Sequence, residues 1–165
     1  MAKIDKYSTK YFGEIVITEE DGHGSADVLY DNQKISIFLC DYNLYGDKVK
    51  VCLGIMDKYV EINEIAKKAI LENFIENETV KYYFECHFDI LETEYLLEIF
   101  DVNSFEEMNI KSVVEKLEYP NLLFSIGNNE IKVSVDYMVS KEYSDEILCV
   151  RIDEKLNITD FAHES

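Results

Sequence analysis

The hydrophobic period of this chain changes twice along its length, and that change restricts the available folds more than any other feature. From about Tyr11 to Cys40 apolar and polar residues alternate. Phe12, Glu14, Val16 and Thr18 alternate with Gly13, Ile15 and Ile17, and Ile35, Ile37 and Leu39 with Lys34, Ser36 and Phe38. A step of two sends successive side chains to opposite faces of a half-buried strand. Val28 and Tyr30 precede Asp31-Asn32-Gln33. Asp and Asn tolerate the left-handed backbone of a short hairpin loop, so a hairpin is expected there.

From about Asp47 to Leu117 the apolar step becomes three and four. Val49, Cys52, Leu53, Met56 and Val60 share one face, as do Ile62, Ile65, Ala66, Ala69, Ile70 and Phe74. Val80, Tyr83, Phe84, His87, Phe88 and Leu91 form the cleanest stripe, followed by Leu96, Leu97 and Phe100. Asn63, Thr79, Thr93 and Asn109 are candidate N-caps, and Ser104-x-x-Glu107 matches a capping box. Pro120 is expected to end the last helix, which carries Ile110, Val113, Val114 and Leu117. Alternation then resumes. Leu122, Phe124 and Ile126 lead into a turn at Gly127-Asn128-Asn129. Ile131, Val133, Val135, Tyr137 and Val139 follow, then Ile147 to Val150. The polar tail from Asn157 to Ser165 reads as a frayed end or a short edge strand. Segregated strands, helices and strands define an α+β domain covering residues 1–165, with antiparallel strands at each end and four to five helices between. The two strand blocks are expected to join in one antiparallel sheet, or to form two small ones, with helices packed on a face.

Composition bounds the function. The 165 residues can bury a core without a staple, and 34 acids against 16 bases give a net charge of −18. That charge repels phosphate backbones and anionic membranes over about 8 Å at physiological salt, so neither nucleic acid nor membrane is an expected partner. The charged start MAKIDKYSTK has no apolar signal core, and no run approaches the ~20 apolar residues of a membrane helix. Cys40, Cys52, Cys86 and Cys149 lie far apart, within apolar stretches, with no CxxC pair. A reduced, cytoplasmic protein is the expectation.

No motif carries chemistry by its spacing. Gly22-His23-Gly24-Ser25 has the glycines of a phosphate loop, but Asp27 stands where GxGxxG needs its third glycine, and GxSxG is absent. It reads as an inter-strand turn. Glu20-x-x-His23 has metal-helix spacing among helix-breaking glycines. Asp41 to Asp47 opens like a calcium loop, yet Cys52 occupies the place of the bidentate Glu. Neighbours on a helix diverge by about 100°, so Cys86 and His87 do not form a chelating pair, and His87 reads as a core histidine. His163 reads as solvated. No catalytic residue, metal ligand or cofactor is assigned.

The acidic excess does have a location. Residues 72–110 hold eleven acids and Lys81 as their single base, a net −10. Glu85 and Asp89 are four apart, as are Glu94 and Glu98, and like charges at that spacing cost ~0.2–0.5 kcal/mol per pair. The stretch is either a solvated face that aids solubility or a docking face for a basic partner, with Glu85, Asp89, Glu94 and Glu98 as its binding residues.

Tyr11-Phe12-Gly13-Glu14-Ile15, Asn63-Glu64-Ile65-Ala66-Lys67-Lys68-Ala69-Ile70, Asp136-Tyr137-Met138-Val139 and the closing Asp160-Phe161-Ala162-His163-Glu164-Ser165 together resemble a small bacterial family of cytoplasmic domains of unknown function, DUF two-thousand-and-four. That resemblance brings no catalytic residues. In type, a small acidic α+β protein is also similar to immunity proteins that neutralise basic toxins. Three readings follow. The first is a non-enzymatic protein that docks a basic protein. The second is a small-molecule enzyme that joins His23 or His163 to distant carboxylates. The third is a self-associating protein, such as a homodimer, using its twelve tyrosines and nine phenylalanines.

Overall fold

A computed structural model describes residues 2–127 and 129–165, with the backbone alone at 119 and 120. Four strands, β1 (Lys3–Thr9), β2 (Gly13–Glu20), β3 (His23–Tyr30) and β4 (Gln33–Leu39), precede the helices. These are α1 (Tyr42–Tyr45), α2 (Val49–Met56), α3 (Tyr59–Asn73), α4 (Glu78–Ile90), α5 (Thr93–Phe100) and α6 (Ile110–Glu115), α1 being a single turn. Strands β5 (Glu118–Gly127), β6 (Glu130–Met138), β7 (Ile147–Ile152) and β8 (Ile158–Glu164) complete the chain.

All eight strands join one sheet whose spatial order is their order in sequence. Every neighbouring pair is antiparallel except β4 and β5, which are parallel. Two antiparallel meanders therefore meet side by side. The joint is parallel because its connection runs through the whole helical block, and only such a crossover returns the chain to the same end of a sheet.

The strand register separates two faces. On one, Ala26, Ile37, Leu122, Val135, Val150 and Phe161 stand in a row across β3 to β8. The first five of these are buried in one core with Ile70, Val80, Tyr83 and Phe84 of the helices. On the other, Ile4, Thr18, Ser25, Phe38, Leu123, Ser134, Arg151 and Asp160 form a row across the full width. None of these eight is buried. The helices cover one face; the other is open along this row, although Asp136 and Cys149 on the same face are buried.

The expected α+β architecture holds and the strands form one sheet rather than two, but the expectation of an all-antiparallel sheet is corrected at its middle, where β4 and β5 are parallel because the helical crossover returns the chain to the same end. Asp31 and Asn32 have φ of 50° and 61°, the left-handed pair of a tight hairpin turn. Asn128 of the expected Gly127-Asn128-Asn129 turn lies outside the described residues. The polar tail is the edge strand β8.

Several local expectations are corrected. Strand β1 was invisible to alternation because its two apolar residues, Ile4 and Tyr7, lie on opposite faces. Asn77, not Thr79, caps α4, its side chain accepting from the Val80 N–H at 3.1 Å. Asn63 lies inside α3 and accepts instead from the Tyr137 hydroxyl at 2.8 Å. Thr93 is the first residue of α5 rather than its cap. Ser104 donates to the Glu106 carboxylate at 2.7 Å and makes no backbone cap. Pro120 does not end a helix. Helix α6 ends at Glu115 and residue 120 lies within β5. Asn109 does cap α6, accepting from the Ser112 N–H at 3.2 Å.

Candidate functional site

The Gly22-x-Gly24 pair has structural causes. Asp21 and Gly22 form the β2–β3 turn with φ of 52° and 86°, backbone that suits Gly. Gly24 lies in β3 beneath the Tyr42 ring, and a Cβ there would stand 2.9 Å from Tyr42 Cγ. His23 is exposed and accepts the Asp41 N–H through Nδ1 at 2.9 Å. No phosphate cradle arises from these residues. Asp41, the first residue of the calcium-like segment, takes a left-handed backbone and leads into α1.

Glu85 and Asp89 lie on α4, and Glu94 and Glu98 on α5, all four exposed. Indeed all eleven acids of residues 72–110 are exposed. Glu98 accepts a hydrogen bond from the Tyr143 hydroxyl at 3.3 Å. Among the described residues none of the four pairs with a cation, and in the whole stretch only Glu72 does, with Lys68 at 3.7 Å. Exposed apolar side chains are interleaved with them: Tyr82 and Ile90 on α4, Leu97 on α5. Spacings of three and four place Tyr82, Glu85 and Asp89 on one outward stripe, and Glu94, Leu97 and Glu98 on another.

The inner side of α4 holds the chemistry. His87 is fully buried. Its Nδ1 lies 2.7 Å from the Tyr83 carbonyl, which can only accept, so Nδ1 carries the proton and Nε2 accepts from the Ser144 hydroxyl at 2.9 Å. Burial holds the imidazole below the usual histidine range, against the opposing pull of the Tyr83 carbonyl and the Glu146 carboxylate. Ser144 Oγ in turn accepts the Glu146 N–H at 3.1 Å. The Tyr83 hydroxyl accepts the Val139 N–H at 3.0 Å and faces the Glu146 carbonyl at 3.3 Å. Helix α4 thereby grips the β6–β7 loop from two points.

That grip brings Glu146 to His163, whose Nε2 hydrogen-bonds the Glu146 carboxylate, and to Cys86. The ligand atoms of Cys86, Glu146 and His163 all lie within 4.8 Å of one another. The rings of Tyr82 and Tyr83 flank His163, with centroids at 5.6 and 5.5 Å. His163 is thus not a solvated tail histidine: β8 is paired along its length with β7, and His163 stands opposite Leu148 on the covered face. The Cys86 thiol donates to the Tyr83 carbonyl at 3.2 Å. Burial, then the charges of Glu146, Asp89 and Glu85, push it up to about 11, so at neutral pH it is a thiol and not a nucleophilic thiolate. Sequence reasoning missed this cluster. Its members come from a helix, a loop and an edge strand, with no spacing signature; Cys86 and His87, expected to diverge on the helix, stand with Sγ 3.8 Å from Nδ1.

On the open sheet face a cavity of about 550 Å³ is lined by Ser125, Lys132, Ser134, Arg151, Thr159 and Asp160 among others. Arg151, the chain's single arginine, is held there by Asp160 at 3.1 Å. No helix among the described residues is long and apolar enough to cross a membrane. Compared with known proteins, the chain matches no family model, no curated protein and no solved structure.

Proposed function

We propose that this chain is a non-enzymatic binding protein that docks a basic protein surface on the outward faces of α4 and α5, as an immunity protein docks a cationic toxin. The observation that carries this reading is the unneutralised acid of residues 72–110: eleven exposed carboxylates, one of them paired. A surface serving solubility alone gains nothing from exposed Tyr82, Ile90 and Leu97. An interface uses such apolar side chains as anchors within a charged rim that steers the partner. The enzyme reading finds part of its geometry in the hydrogen-bonded His163 and Glu146, whereas the acidic face supplies both the charge and the apolar anchors that docking uses.

The test is the quadruple variant Glu85→Gln, Asp89→Asn, Glu94→Gln, Glu98→Gln. A basic partner is captured on the wild type at low salt and released at high salt, and its association rate is then measured for both proteins at two salt concentrations. Docking through this face predicts a slower association at low salt and a weaker salt dependence for the variant. Removing two like-charge pairs should raise stability by tenths of a kcal/mol per pair. Binding and stability should therefore move in opposite directions. An association rate unchanged at low salt refutes the assignment.

A further inference from the structure

Cys86, Glu146 and His163 offer a sulfur, an oxygen and a nitrogen to one point between α4, the β6–β7 loop and β8. Around a tetrahedral zinc ion, with bonds of ~2.0–2.3 Å, ligand atoms stand about 3.3–3.6 Å apart. The three ligand atoms lie within 4.8 Å of one another, and an ion between them would take the place of the direct His163–Glu146 hydrogen bond. The sulfur selects against magnesium and calcium, which take oxygen ligands, and favours a thiophilic ion. The His163 and Glu146 side chains keep 17% and 16% of their surface accessible, which leaves an approach for the ion and a place for a water.

The surrounding residues hold the ligands as outer-shell partners do in metal sites. Glu146 is fixed through its backbone on both sides, by Ser144 with His87 behind it and by the Tyr83 hydroxyl. His163 is fixed by its strand and by two tyrosine rings. Cys86 is one helical step from His87 in the buried wall of α4. A hydrogen bond between His163 and Glu146 accounts for two of the three residues. The Cys86 thiol, which donates to the Tyr83 carbonyl at 3.2 Å, adds beside them the sulfur donor type of a zinc site.

We propose that Cys86, Glu146 and His163 form a three-ligand site for a divalent, zinc-type cation with a fourth, solvent-facing position, the Cys86 thiol releasing its proton to solvent as the metal–sulfur bond forms, and that the bound ion clamps β8 to α4. None of the three ligands is among the docking carboxylates Glu85, Asp89, Glu94 and Glu98, so metal binding and partner association are read by separate measurements.

The experiment titrates chelator-treated, reduced protein with Co²⁺ and then with Zn²⁺. The site predicts one equivalent of Co²⁺ giving the sulfur-to-metal charge-transfer band and the intense visible bands of a tetrahedral thiolate complex, both removed by Zn²⁺. Zinc at about a hundred times its Kd should raise the folding equilibrium constant about a hundredfold. Cys86→Ser should abolish the charge-transfer band. Because Cys86 is buried and its variant can misfold, Glu146→Gln and His163→Gln carry the same test from less buried positions, each weakening zinc by tenfold or more, while His23→Gln leaves it unchanged. Wild-type protein that shows no charge-transfer band at saturating Co²⁺ overturns the proposal. So does a band that survives in a folded Cys86→Ser protein.

Discussion

Replacing the same side chain on the two faces of the sheet tests the architecture directly. Phe84 on α4 is fully buried and Phe38 on β4 is 43% exposed. Phe84 makes ring contacts with Tyr83 at 5.0 Å and Phe74 at 5.8 Å, and it shares a core with Ile70, as the helical stripe predicts. Phe88 and Leu91 of that stripe are only partly buried, packed against the same core. Phe84→Ala deletes a full aromatic ring from close-packed surroundings and should cost ~3–5 kcal/mol. For a chain of this size each kcal/mol lowers the melting temperature by ~2–4 °C, so the midpoint should fall by roughly 6–20 °C. Total stabilities of ~5–15 kcal/mol make that loss a large fraction of the whole. Phe38→Ala leaves no enclosed cavity and should cost less than about 1 kcal/mol. Urea unfolding reads both, with unchanged slopes confirming that the denatured states are comparable. A Phe84→Ala cost below 1 kcal/mol, or equal costs at the two sites, would refute the assignment of covered and open faces.

Two further outcomes follow from single groups. Tyr83→Phe strands the buried Val139 N–H that its hydroxyl accepts at 3.0 Å, so stability should fall by ~1–3 kcal/mol, measurable by urea denaturation; an unchanged midpoint would show that the N–H finds another partner. Asp136, 7% exposed on β6, has its carboxyl raised above 3.8 by burial, against the hydrogen bonds from Ser134 and Cys149. A raised folded pKa means its stabilising contribution is full below 3.8 and is lost as pH climbs through the raised value. Asp136→Asn should therefore gain stability relative to wild type as pH rises from below 3.8 to neutrality, and a pH-independent difference would contradict this.

The periods alone placed the helical block, six of the eight strands and the Asp31-Asn32 turn, because burial on one face imposes steps of two or three-to-four on any chain. Even the buried state of His87 was legible, since it falls on the Val80–Tyr83–Phe84 stripe. Strand β1 was not legible. It sits at the sheet edge, where Lys3 and Lys6 are exposed, and its few apolar residues split between two faces. Thr79 is not the cap of α4 because Asn77, two residues earlier, accepts the Val80 N–H, and Asn63 is not the cap of α3 because that helix starts four residues earlier, at Tyr59; only the backbone geometry chooses among nearby polar residues. Tertiary structure alone decided that the two meanders join in parallel, since that depends on where a 78-residue crossover, Cys40 to Leu117, returns the chain. It alone also brought Cys86, Glu146 and His163 together. Local pattern records which face of an element is wet or dry, and it carries no record of which distant elements share that dry side.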